Sequence, residues 1–162
     1  MGTKNSDIVS FFEVIATKHK KIAHVAGTHQ HYWRMEFDEF ASGVSKFTGY
    51  NFILEVVPYK FNSPSRDNSF KIREVAFIVV KSLPTVNKAA IATAFDECEV
   101  IVDDVLSKVN AMRNYFSSTL TYFDPETIEA TPVSDGKNFG FRCSLEIKNS
   151  FNFEVIPDNW LL

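Results

Sequence analysis

At 162 residues the chain is long enough for one domain with a full core and too short for two comfortable ones, so a single domain over 1–162 is expected. Hydrophobic residues make up 45% and charged residues 23%, a globular balance that excludes disorder and a fibrous repeat. Seventeen basic against twenty acidic residues leave a net charge of −3, which offers no general attraction to nucleic-acid phosphates or to anionic lipid.

The N-terminal stretch Met1 to Asp7 is polar and has no apolar h-region, so no secretory leader is expected and synthesis is placed in the cytoplasm. Ser6 is the expected N-cap of a first helix over about 6–22, with Ile8, Phe11, Phe12, Ile15 and Ile22 at helical spacing. Lys18, His19, Lys20 and Lys21 cluster at its end, where positive charge suits the helix macrodipole. Gly27 and Thr28 break the chain. From His31 to Asp38, Trp33, Met35 and Phe37 alternate with polar residues, which predicts a half-buried strand.

A second strand is expected over Tyr50–Phe61, apolar on both faces through Phe52, Ile53, Leu54, Val56 and Val57. Asn62 to Asn68 has a turn composition and joins it to a third strand, Phe70 to Lys81, as a long hairpin ended by Leu83 and Pro84. The longest apolar stretch, Val75 to Val80, is far short of the roughly 20 residues of a membrane span.

From Val86 to Arg113 the apolar period changes. Ile91, Phe95, Cys98, Val102, Val105, Val109, Met112 and Phe116 step alternately by four and three, and Ala94, Ile101 and Leu106 widen the seam into the core face of one long amphipathic helix. Asp96, Glu97, Glu99, Asp103 and Asp104 occupy its other side. Two strands, Thr119–Phe123 and Thr127–Thr131, flank a turn at Asp124-Pro125, and Ser134-Asp135-Gly136-Lys137 is a second turn. Phe139, Phe141, Cys143, Leu145 and Ile147 alternate with Gly140, Arg142, Ser144, Glu146 and Lys148 in a further strand, after which Asn149-Ser150 is expected to turn into Phe151, Phe153 and Val155. The fold class is therefore α+β, a mainly antiparallel sheet packed against one long amphipathic helix and a shorter N-terminal helix, in the order α-β-β-β-α-β-β-β.

Sixteen phenylalanines are an unusual load, and they predict either an aromatic core or rings that face a partner. Cys98 and Cys143 sit at apolar-face positions and are expected buried and reduced. The four histidines, His19, His24, His29 and His31, fall within thirteen residues, and His29-Gln30-His31 places two imidazoles on one strand face. A zinc site needs further ligands at a recognised spacing, and neither HExxH nor paired CxxC is present, so they read as a surface loop at a helix end and no metal or cofactor is expected. Glu99 and Asp103 are four apart on the long helix, as a carboxylate pair for Mg²⁺ or acid–base work would be, yet they ride its polar side. No GxSxG and no glycine-rich phosphate loop occurs, and an enzyme is not expected. Lys18 to Lys21 beside Tyr32 and Trp33 is too short a basic patch for a single-strand nucleic-acid groove, and no nucleic-acid or membrane partner is expected. The basic end of the first helix (Lys18, Lys20, Lys21) and the acidic face of the long helix (Asp96, Glu99, Asp103, Asp104) are instead the opposite-signed surfaces that a head-to-tail ring brings together, or else two solvated faces.

Helix, three strands, long helix and a C-terminal antiparallel set, over about residues 6–156, resemble the tail-terminator and head–tail connector proteins of tailed phages and contractile injection systems. The segments Phe12 to Ile22, His31 to Phe40, Phe95 to Val109 and Gly140 to Trp160 are also similar in style to phage or mobile-element proteins of Bacteroidetes-type genomes. The resemblance implies a structural subunit in a homo-oligomeric ring that closes a tail tube or joins it to the neck or capsid. It would be assembled in the bacterial cytoplasm and carried in a virion or phage-like particle beside other virion or tail proteins. It also makes Phe151, Phe153 and Trp160 candidate interface anchors, whose alternative place is the monomer core. The competing reading is a small intracellular α+β domain that holds a peptide or small molecule against its sheet.

Overall fold

The computed structural model describes residues 4–55, 57–65, 68–111, 121–123 and 125–151. Its elements are α1 (Asn5–Lys18), β1 (Tyr32–Arg34), α2 (Phe37–Ala41), β2 (Tyr50–Leu54), β3 (Tyr59–Ser65), β4 (Asn68–Ser82), α3 (Lys88–Ala111), β5 (Thr121–Phe123), a 3-10 turn at Pro125–Thr127, β6 (Glu129–Ser134) and β7 (Asn138–Phe151). The fold is α+β, with the long helix α3 packed on one mixed sheet of seven strands among the described residues.

The two longest strands, β4 and β7, pair antiparallel from Ser69↔Phe151 to Ser82↔Asn138 and form the spine of the sheet. One flank of β4 carries β2 at one end and β3 at the other, while the far flank of β7 carries β6 and β5 in the same division. β1 lies outside β2 as the parallel member, Tyr32 opposite Phe52.

Alternation along β2, β4 and β7 sends one set of side chains to the α1/α3 side. Phe52, Leu54, Val75, Phe77, Val79, Cys143, Leu145 and Ile147 meet Ile8, Phe11, Phe12 and Ile15 of α1 and Cys98, Ile101, Val102, Val105 and Val109 of α3. Part of the phenylalanine load is here: Phe12 lies 5.9 Å from Phe52 and 5.7 Å from Phe77, and those two rings stack at 5.2 Å. Each such buried ring contributes about 2–3 kcal/mol of transfer free energy. The opposite face is covered as well, at one end, where Met35, Phe40, Phe47 and Val133 close over Ile53, Ile78 and Val80.

That second layer departs from the expected half-buried strand over His31–Asp38. Only Tyr32–Arg34 pairs, and Phe37 opens the short helix α2. Glu36 is extended and caps it, Asp38 and Glu39 place negative charge in its first turn, and the wholly buried Phe40 anchors it to the sheet. The expected second strand, Tyr50–Phe61, is likewise two strands, β2 and β3, with Pro58, which has no N–H to give a ladder, directly before β3.

Other boundaries moved. Lys4 rather than Ser6 is the N-cap of α1, its backbone N–H donating to Asp7 Oδ2 at 2.7 Å, and the helix stops at Lys18, although Ile22 beyond it is still buried. Val86 is exposed and precedes α3, whose start is fixed by Asn87 Oδ1 accepting the Ala90 N–H at 2.9 Å. The strand expected from Thr127 starts at Glu129, after the 3-10 turn. Asn149-Ser150 does not turn: Asn149 pairs with Lys71 on one side and Thr121 on the other, and two ladders outweigh a local turn preference. No helix among the described residues is long and apolar enough to cross a membrane.

Candidate functional site

At the end of the sheet that α2 leaves uncovered, the second face is polar. Ala76 and Ser144 pair across the spine, as do Glu74 and Glu146, and Arg142 stands opposite Ile78 where the apolar layer stops. Here a cleft of about 480 Å³ is lined by Glu36, Glu55, Pro58, Glu74, Arg142 and Ser144, among others.

Its central feature is an ion pair. Arg142 donates from Nε to Glu55 Oε1 at 2.6 Å and from its terminal nitrogen to Glu55 Oε2 at 2.8 Å, a bidentate geometry that only the planar guanidinium supplies. The Glu55 side chain is 8% exposed and that of Arg142 35%, so water reaches one partner far better than the other. Hydrogen bonding to Glu55 outweighs burial and holds the guanidinium above its usual pKa. The Phe37 ring lies 5.6 Å from the guanidinium carbon, so α2 reaches the cleft through a cation–π contact. At the rim Lys60 bridges Glu74 at 2.6 Å and Glu146 at 3.1 Å. In and around the cleft Arg142 engages Glu55 and Lys60 engages Glu74 and Glu146, while Glu36 lines it as an exposed carboxylate.

The residues singled out from the sequence are distributed differently. Asp96, Glu99, Asp103 and Asp104 are exposed on α3, and Glu97 is drawn to Lys81 at 2.5 Å. Lys20 is exposed, and Lys21 stands 5.6 Å over the Tyr50 ring. Lys18, His19, Asp104 and Lys108 meet within one chain, His19 Nε2 lying 3.3 Å from Asp104 Oδ2. The basic and acidic surfaces assigned to opposite sides of a subunit contact are therefore neighbours in the same molecule. Phe151 closes the β4–β7 ladder through its backbone; its side chain, and Phe153 and Trp160 entirely, lie outside the described residues, as do Met112, Arg113 and Phe116.

The imidazoles do not converge. His31 has a left-handed backbone (φ 63°) just before β1, and its Nδ1 bonds the Tyr50 carbonyl at 2.9 Å, so the pair expected on one strand face does not form. His29 is exposed. His24, expected on a surface loop, is buried: Nδ1 donates to the Gln30 carbonyl, an acceptor only, Nε2 lies 3.5 Å from the Glu13 carboxylate, and the His24 backbone N–H donates to the Ala16 carbonyl at 3.3 Å, tying the 19–31 connection back to α1. Cys98 and Cys143 are free and buried, with burial pushing their thiols up to about 12 and about 11. Neither is poised as a thiolate nucleophile.

Sequence reasoning missed Glu55 and Arg142. A lone carboxylate inside the apolar run Tyr50–Phe61 was the available signal, since a charge in such a run needs a partner. It also missed the aromatic edge of the sheet. Tyr59 is 55% exposed and Phe61 45%, their rings 5.8 Å apart, with the Lys71 ammonium 4.0 Å above Tyr59. Neither a protein-family model nor a curated protein sequence matches the chain.

Proposed function

We propose that this chain is an architectural subunit, without catalytic activity, that assembles head to tail into a homo-oligomeric ring. On the resemblance of its element order, the ring is of the kind that terminates a phage or phage-like tail tube or connects it to the neck or capsid. The observation that carries the reading is the β3 edge. Among the described strands β3 pairs only with β4, and its Tyr59 and Phe61 rings are exposed. Strand edges recruit further strands, and exposed aromatics are enriched at the cores of interfaces. The opposite border of the sheet, where β5 and β6 flank β7, is a second and different edge. Two unlike edges on opposite sides favour a heterologous contact, which closes into a ring when the rotation permits.

Size-exclusion chromatography with light scattering tests this. Wild type is expected to form a discrete multimer, and Tyr59→Ala with Phe61→Ala to shift it to monomer with Tm little changed. A wild type that stays strictly monomeric at high concentration removes the ring. The cleft beside Arg142 supports a second reading, a domain that holds a peptide or small molecule against the sheet, because its volume falls within the range of ligand sites. That reading predicts a monomer whose ligand binding is lost in Arg142→Gln.

A further inference from the structure

Where the end of α1 passes over α3, a cavity of about 260 Å³ is lined by Val14, Ile15, Lys18, His19, Asp104 and Lys108. Val14 and Ile15 give it an apolar floor, and three of the other four residues are bases. Lys18 and Lys108 each stand in the last turn of their own helix, where positive charge suits the macrodipole. The His19 ring is oriented from both sides. The Lys21 backbone N–H donates to Nδ1 at 3.3 Å, which makes Nδ1 the acceptor and puts the ring proton on Nε2, directed at Asp104 Oδ2 at 3.3 Å. Asp104 therefore places a carboxylate where the cavity favours one, and its side chain is 61% exposed, free to swing away when another anion arrives.

We infer that this cavity binds a small monocarboxylate with an apolar body. The carbon portion would lie on Val14 and Ile15, with the carboxylate between the two lysines and in competition with Asp104 for His19. The volume is below that of a drug-sized site, which restricts the ligand to something of the size of a short-chain fatty acid or a simple aromatic acid. A chain of net charge −3 repels anions at long range, so the affinity has to come from this local cluster. The inference is independent of the ring, since it concerns groups of a single chain.

The test is a titration of the ¹⁵N-labelled chain with benzoate, read by amide shifts, with benzyl alcohol as the neutral analogue of similar shape and chloride as the simple anion. Saturable shifts confined to residues 14–19 and 104–108 are expected for benzoate alone. Lys18→Gln with Lys108→Gln should weaken binding about tenfold or more, through loss of two charge-assisted contacts. Asp104→Asn should tighten it severalfold by removing the internal competitor, while Glu99→Gln, the same charge change on α3 outside the cavity, should leave it unaltered. Equal binding of benzyl alcohol, equal displacement by chloride, or equal tightening by Glu99→Gln would each overturn the proposal, as would an absence of saturation. All four positions are at the surface, so unchanged thermal melts will show that the variants remain folded.

Discussion

The Arg142 guanidinium meets the Glu55 carboxylate at a place where only one partner can readily fall back on water. Deleting the two partners should therefore cost different amounts. Arg142→Gln strands a carboxylate whose side chain is 8% exposed and should lower stability by about 3 kcal/mol, the lower end of the range for breaking a buried pair. Glu55→Gln leaves the half-exposed cation within reach of solvent and should cost about 1 kcal/mol. Urea denaturation of both variants measures the asymmetry, and equal losses would show that the pair is not buried in the way described. Asp135 is a second residue with a measurable signature. Burial pushes its carboxyl up, but the Asn138 side chain and backbone at 2.7 Å each, the Lys137 N–H at 3.0 Å and the Val44 N–H at 3.2 Å outweigh it, holding the pKa below the ordinary 3.8. A depressed carboxylate contributes stability that is present above its unfolded pKa and lost as pH falls through the folded one. Asp135→Asn should thus be less stable than wild type at neutral pH by about 1–2 kcal/mol. The gap should close below about pH 4, which thermal melts across pH 2–7 will show.

At the scale of elements, the β4–β7 spine depends on one missing side chain. A Cβ added at Gly140 would lie 1.9 Å from the Val79 carbonyl oxygen and 2.8 Å from Val80 Cα, both backbone atoms of the neighbouring strand that cannot rotate aside. Gly140→Ala should therefore destabilise the chain by about 3 kcal/mol or more, visible as a large fall in Tm, whereas an alanine in a strand is ordinarily tolerated. Gly140 stood in the sequence as one polar-side member of an alternating strand, and alternation was legible because each ladder has period two. The close approach of the strands was not, because it belongs to the partner strand. The same distinction explains α2 and the break at Pro58: local residues carried signals for both, but the apolar runs around them masked these, and the long uninterrupted reading won.

For the molecule as a whole, association and charge are separable. Lys18 and Asp104 already share a cavity inside one chain, so the exposed Asp103 is the better probe of whether the acidic face of α3 meets another copy. If it does, Asp103→Lys should weaken assembly at low ionic strength more than at high, since screening shortens the reach of exposed charges. If β3 alone makes the contact, the substitution should leave the multimer unchanged at either salt. Light scattering at two salt concentrations distinguishes these outcomes.

The sequence by itself determined the secondary-structure class, the apolar seam of α3, the burial of both cysteines and the inward face of β7. Each of these follows from a periodicity in the chain and needs no knowledge of the partner. The candidate sites were decided only by tertiary structure. Glu55 and Arg142 are far apart in sequence and meet because β2 and β7 both flank β4. Lys18 and Asp104 line one cavity because α1 and α3 pack on the same face of the sheet. Tyr59 and Phe61, two residues apart on one face of β3, stand exposed together. Charge and aromatic character can be read residue by residue, but which groups neutralise one another depends on distances of a few ångströms that only the packed chain sets.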